Sequence, residues 1–171
     1  MLRRVERDTA SISYPGLYAG TVVKVEDLGR VQVSVPAIFD QTTPESFVWA
    51  RPCFPYGYFF VPEVGDKVWV AFEHGDPAAP VWLGIWYPAG AVPAEANVSP
   101  PVKRVIRSAK GHVVILDDTA GSEKLILKDK AGNSIELSGD GVLIKCTQNL
   151  TIDASGKDIV IKANSVDIQQ A

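Results

Sequence analysis

Little in this chain of 171 residues suits it to covalent or metal chemistry. It has two cysteines, Cys53 and Cys146, and two histidines, His74 and His112. No metal-ligand spacing surrounds either cysteine, so both read as buried or half-buried thiols in a reducing compartment. No apolar run approaches the roughly 18 residues that would suggest a membrane-crossing helix. The start, Met1 to Asp8, lacks the apolar core of a secretory signal. A net charge of −3 and a pI near 5.4 give no general attraction to phosphate backbones or anionic membranes. No stretch keeps a helical period. Twelve prolines and fourteen glycines point to many turns, and a hydrophobic content of 46% argues against disorder.

What is present is a small pattern repeated over the last third: two apolar residues one position apart, then a polar turn. The pairs are Leu125/Leu127, Ile135/Leu137, Val142/Ile144, Leu150/Ile152, Ile159/Ile161 and Val166/Ile168. Residues i and i+2 of a strand share a side, so each pair predicts one short strand with one apolar face. No helix is available to cover these faces. A ribbon of about 60 residues cannot shield them alone, because even a compact chain of that size buries only about 60% of its surface. Three identical chains closing into a prism would bury the pairs on a common axis; a single-chain solenoid or an ordinary sandwich are the alternatives. The intervening positions Glu136, Thr151 and Asp167 are polar, as an outer face should be, whereas Ile126, Leu143 and Val160 are not.

The first half reads as five strands: 18–25, 30–35, 47–51, 67–72 and 81–86. Val31, Val33 and Val35 alternate with polar residues, and Val68, Val70 and Phe72 share one side of the fourth strand. Asp27-Leu28-Gly29 marks a hairpin between the first two strands. Five strands with short turns and no helix predict a small closed or part-closed barrel. Residues 1–15 read as an arm that orders only on a partner, 16–90 as the barrel, 91–108 as a proline-rich linker and 109–171 as the shaft.

Specific stretches carry a resemblance. Tyr18-Ala19-Gly20-Thr21-Val22-Val23, Gly29 to Pro36, Trp49 to Cys53, Pro62 to Val70, Phe72 to Pro77 and Pro80 to Gly84 resemble the OB-fold domain of baseplate assembly protein V and related central spike proteins of contractile tails. Gly111-His112, Asp117-Asp118-Thr119 and Gly132-Asn133-Ser134-Ile135 are similar to the start of the β-prism in those proteins and in valine-glycine repeat proteins of type VI secretion. The resemblance runs over residues 14–171. It implies an all-β chain: an N-terminal five-stranded OB-type barrel followed by an intertwined three-chain β-helix. It also implies a homotrimer that docks on the hub and tail tube of a phage baseplate or a cytoplasmically assembled injection particle, and that meets the target envelope mechanically. Some members carry a lysozyme domain between barrel and prism, but only about 20 residues stand there. Some end in a His-x-His metal tip, which this sequence does not contain, so either a separate small capping protein or a blunt prism is expected at the apex.

The twelve paired residues are thus the expected trimer core. The aromatic run Phe54, Tyr56, Tyr58, Phe59 and Phe60 is a candidate hub-docking loop. Glu73-His74-Gly75-Asp76 brings carboxylates and an imidazole together, but in a turn with no second half of a site. Asp117-Asp118 could meet a hard cation and reads more simply as a solvated turn. No catalytic residue, metal or cofactor is expected. The competing reading is an OB-fold module that binds single-stranded nucleic acid or glycan and carries a trimerising tail. Its weakness is that the loop aromatics lack the basic groove that strand-binding OB folds use.

Overall fold

A computed structural model describes residues 13–40 and 43–170; the expected N-terminal arm falls mostly outside them. The chain divides into two units, residues 1–97 and 98–171.

In the first unit, β1 (Leu17–Val25), β2 (Val31–Ser34), β3 (Val48–Pro52), β4 (Lys67–Phe72) and β5 (Pro80–Ile85) close into a barrel in the order β1-β2-β3-β5-β4. All pairings are antiparallel except β3 with β5. Short β-branched strands make this possible, since alternation places one side chain in two inside. Val22, Val31, Val33, Val35, Ala50, Val68, Val70, Phe72 and Trp82 form the buried core. Gly20 lies where a Cβ would come to 3.0 Å from Val70 Cγ2, so a side chain there would require Val70 to shift. The buried Trp82 indole N–H donates to the Gly29 carbonyl at 3.0 Å, satisfying the one polar group the ring brings inside. Gly29 has φ +76°, a conformation that favours glycine in the β1–β2 turn.

Ser13–Pro15, part of the expected arm, is tied to the barrel. The Tyr14 N–H donates to the Gly75 carbonyl at 2.9 Å, and the Tyr14 ring packs near Tyr18 and Phe72. Both cysteines are free and exposed, which corrects the expectation of buried thiols. Cys53 immediately follows β3, and Cys146 stands just past the last strand of the second unit, each beyond the last paired residue of its strand.

The second unit is an antiparallel meander of five five-residue strands in the order β6 (Lys103–Arg107), β7 (Val113–Asp117), β8 (Lys124–Lys128), β9 (Ser134–Ser138) and β10 (Gly141–Lys145). The second sheet is consistent with a β-prism. Strand β6 lies in the stretch read as linker; its basic residues and the prolines before it hid the alternation. Residues 146–170 contain no strand. Leu150 and Ile152, Ile159 and Ile161, and Val166 and Ile168, expected as strands of a shaft intertwined between three chains, form no strands within a single chain. A ladder needs a neighbour, and this chain offers them none.

Candidate functional site

The register of the meander sorts every side chain onto one of two faces. Cross-strand partners share a side, so two rows run across one face: Arg104, Leu116, Leu125, Leu137, Val142, and Ile106, Val114, Leu127, Ile135, Ile144. Nine of these ten residues are large aliphatics. All but Val114 among the nine are substantially exposed, from 38% at Ile135 to 68% at Val142. A contiguous apolar face of this kind marks an interaction surface.

The opposite face has a different chemistry. Val105, Ile115, Ile126 and Leu143 lie in one row with Glu136, and Ile115 is buried. This accounts for the apolar residues that interrupted the expected alternation: Ile126 and Leu143 belong to a small row of their own. Around that row stand ion pairs, Lys103–Asp117 at 2.9 Å and Lys124–Glu136 at 2.6 Å. The Asp117 carboxylate also accepts from Thr119 Oγ1 at 2.5 Å and from the Thr119 N–H at 3.1 Å. These donors hold its pKa down at about 2, the Thr119 hydroxyl first and Lys103 next. The Glu136 carboxylate beside Lys124 raises the lysine pKa. One face is thus charged and internally paired, while the other is apolar and bare.

The structure places six of the twelve expected core residues on the bare face: Leu125, Leu127, Ile135, Leu137, Val142 and Ile144. It adds Ile106, Val114 and Leu116, which the sequence reading missed. Neither set stands out as an apolar pair: Arg104/Ile106 has one apolar member, and Val114/Leu116 lies inside the apolar run 113–116. The other six, Leu150, Ile152, Ile159, Ile161, Val166 and Ile168, expected to be covered by sister chains, lie in the strandless stretch of the single chain. Each is more than half exposed, Ile161 at 70% and Ile168 at 90%. The physical reason is the same for all six: Ile161, like its partner Ile159, has no strand beside it and no second layer of its own chain to pack on. Among the described residues, the one backbone–backbone hydrogen bond within that stretch closes the turn from the Lys157 N–H to the Ala154 carbonyl. The single chain thus leaves the apolar side chains of 148–170 uncovered and their backbone without a ladder.

In the aromatic loop, Phe54 turns inward, with its ring 4.9 Å from that of Trp82 in edge-to-face contact. Tyr56, Tyr58, Phe59 and Phe60 stand exposed. Glu73 pairs with Arg51 at 2.6 Å, and Asp76 Oδ1 accepts from the Ala78 N–H at 2.9 Å, so these two carboxylates serve the turn rather than an acid–base pair. Asp118 is held by Arg104 at 2.7 Å. Among the described residues no group of three or more His, Cys, Asp or Glu side chains converges, and no helix is long and apolar enough to cross a membrane.

Comparison with known proteins fits this geometry. The family model described as type VI secretion system/phage-baseplate injector OB domain matches residues 18–87. The model described as phage baseplate V C-terminal trimerisation domain matches residues 103–171. The type VI secretion system spike protein VgrG3 of Vibrio cholerae is 28% identical over 146 residues, covering 78% of this chain and 14% of that protein. The actin cross-linking toxin VgrG1 of the same species is 25% identical over 162 residues, covering 88% of this chain and 15% of that protein. The chain thus spans about a seventh of the length of these relatives. With its barrel and its second sheet matched in order, the chain belongs to the phage baseplate V family, to which the type VI secretion spike proteins are related.

Proposed function

We propose that the chain is the non-enzymatic, homotrimeric central spike of a contractile injection apparatus. Three copies set their apolar sheet faces against one another, and the strandless stretches 148–170 complete the shaft by pairing between copies, which would bring Ile152, Ile161 and Ile168 under cover. The barrel docks on the baseplate hub and tail tube, with Tyr56, Tyr58, Phe59 and Phe60 as the contact loop. Contraction of the sheath drives the shaft through the target envelope. The shaft acts by stiffness, since a prism with its strands paired above and below has few free edges.

The observation that carries this reading is the bare two-row apolar face in a region matched to a trimerisation domain. Water is a poor environment for so many exposed aliphatics, and burial of each stabilises by about 1.5–3 kcal/mol before ordering costs. The test is mass in solution by size-exclusion chromatography with light scattering. The wild-type chain of 18.5 kDa should elute at three times its own mass. Ile144→Asp or Ile152→Asp should reduce it to one, because three carboxylates would meet on a dry axis. A wild-type monomer at micromolar concentration overturns the spike reading; an unchanged trimer in both variants overturns the inward assignment.

A further inference from the structure

From β7 to β10 each strand of the second unit pairs with the strand just before it, and beyond Lys145 the described residues form no strand. The simplest continuation would be another hairpin laid along the open edge of β10. The chain does not take it, although the dyads Leu150/Ile152 and Ile159/Ile161 have the strand pattern for it.

A local device stands at this point. The last rung of the β9–β10 ladder is Ser134 opposite Lys145. One residue before Ser134, Asn133 Oδ1 accepts from the Thr147 N–H at 2.7 Å and from Thr147 Oγ1 at 3.0 Å. Asn133 is itself fixed: its Nδ2 donates to Asp129 Oδ2 at 2.7 Å and its N–H to Asp129 Oδ1 at 2.9 Å. Gly132 takes φ +94°, which favours glycine in this turn, and its Cα faces Thr147, where a Cβ would make ordinary contact at 3.6 Å with Cγ2. The β8–β9 turn thus holds the chain on the β9 side of β10 and spends the Thr147 donor there.

We infer that Asn133, braced by Asp129, is the switch point at which the chain stops pairing with itself and is directed to pair with sister copies. Asn133 is a positioning residue: it leaves the β10 edge open and aims 148–170 away from it. This rests on the trimeric reading above and goes beyond it by naming the residues that set where the exchange begins.

Hydrogen–deuterium exchange on the full chain at trimer-forming concentration tests it. Asn133→Ala removes both bonds to Thr147. It should keep the trimer, because the apolar rows are untouched, yet exchange in 148–170 should quicken about tenfold while β7 and β8 stay as protected as in wild type. Thr147→Val, which keeps the shape and the N–H and loses only the hydroxyl bond, should give a smaller increase, about threefold. Unchanged protection of 148–170 in both variants overturns the switch and leaves the trimer standing. Failure of the trimer itself would show differently, as fast exchange of 148–170 already in the wild-type chain. If Asn133→Ala does not fold, Thr147→Val alone decides by the same readout.

Discussion

Asp117 shows how a single residue ties the charged face of the sheet together. It ends β7, its side chain is only 11% exposed, and Lys103 and Thr119 converge on it. Its folded pKa of about 2 lies below the ordinary 3.8. A depressed carboxylate pKa contributes stability that is complete above the unfolded value and lost as pH falls through the folded one. The melting temperature of the wild type should therefore fall between about pH 4 and pH 2 more steeply than that of Asp117→Asn, which has no such proton to take up. The gap between the two proteins, measured by circular dichroism melts, should be widest above about pH 5 and close near pH 2. Parallel curves would show that the carboxylate is not stabilised by these donors. Sequence alone read Asp117-Asp118 as a solvated turn. The turn is real, but Lys103 lies across a strand pairing whose existence was hidden in the presumed linker.

At the scale of elements, the meander is defined by two faces, and the dyad pattern revealed one of them. Leu125/Leu127, Ile135/Leu137 and Val142/Ile144 were legible because each pair is flanked by polar residues or turn signals. Ile159/Ile161 carries the same signal and yet forms no strand here, because alternation records which side chains want cover and not which chain supplies it. Ile106 was missed because β6 is bracketed by Lys103, Arg104 and Arg107, and Leu116 because HVVIL is apolar at four successive positions, which hides its period. Leu143 looked like an error in the pattern until the register placed it in line with Ile115 and Ile126. The barrel was easier: Val31 and Val33 alternate with polar neighbours, turn signals bound the run that holds Val68 and Val70, and all four are fully buried. The inward turn of Phe54 had no signal within its own run, since the contact that fixes it, the edge of Trp82, comes from β5. A direct comparison separates the two faces of the meander. Leu116→Asp puts a charge in the middle of an apolar row and should weaken the trimer by at least about 3 kcal/mol, seen as monomer in light scattering at micromolar concentration. Leu143→Asp, on the opposite face at the β10 edge, should leave the trimer intact or weaken it by about 1 kcal/mol at most. Equal effects would mean that the bare face is not the one turned inward.

For the molecule as a whole, the two units close their cores in different ways. The barrel completes its own: nine buried residues from one chain, with the indole of Trp82 satisfied inside. Among the described residues of the second unit, only the apolar side chains of Val113 and Ile115 are buried, and the unit ends in a stretch without a strand. Closure within a chain makes stability independent of concentration. Closure between chains couples it to mass action, because association stabilises the folded form more as protomer concentration rises. Calorimetry of the full chain should therefore show two transitions. The barrel transition, reported by near-ultraviolet ellipticity from Trp82 and its neighbours, should stay at one temperature from about 2 to about 200 μM. The transition of residues 98–171, reported by loss of trimer mass, should rise over the same range by several degrees. Two transitions that both ignore concentration would mean that the second unit closes its surface without a sister copy; two that rise together would mean that the barrels share the trimer contact.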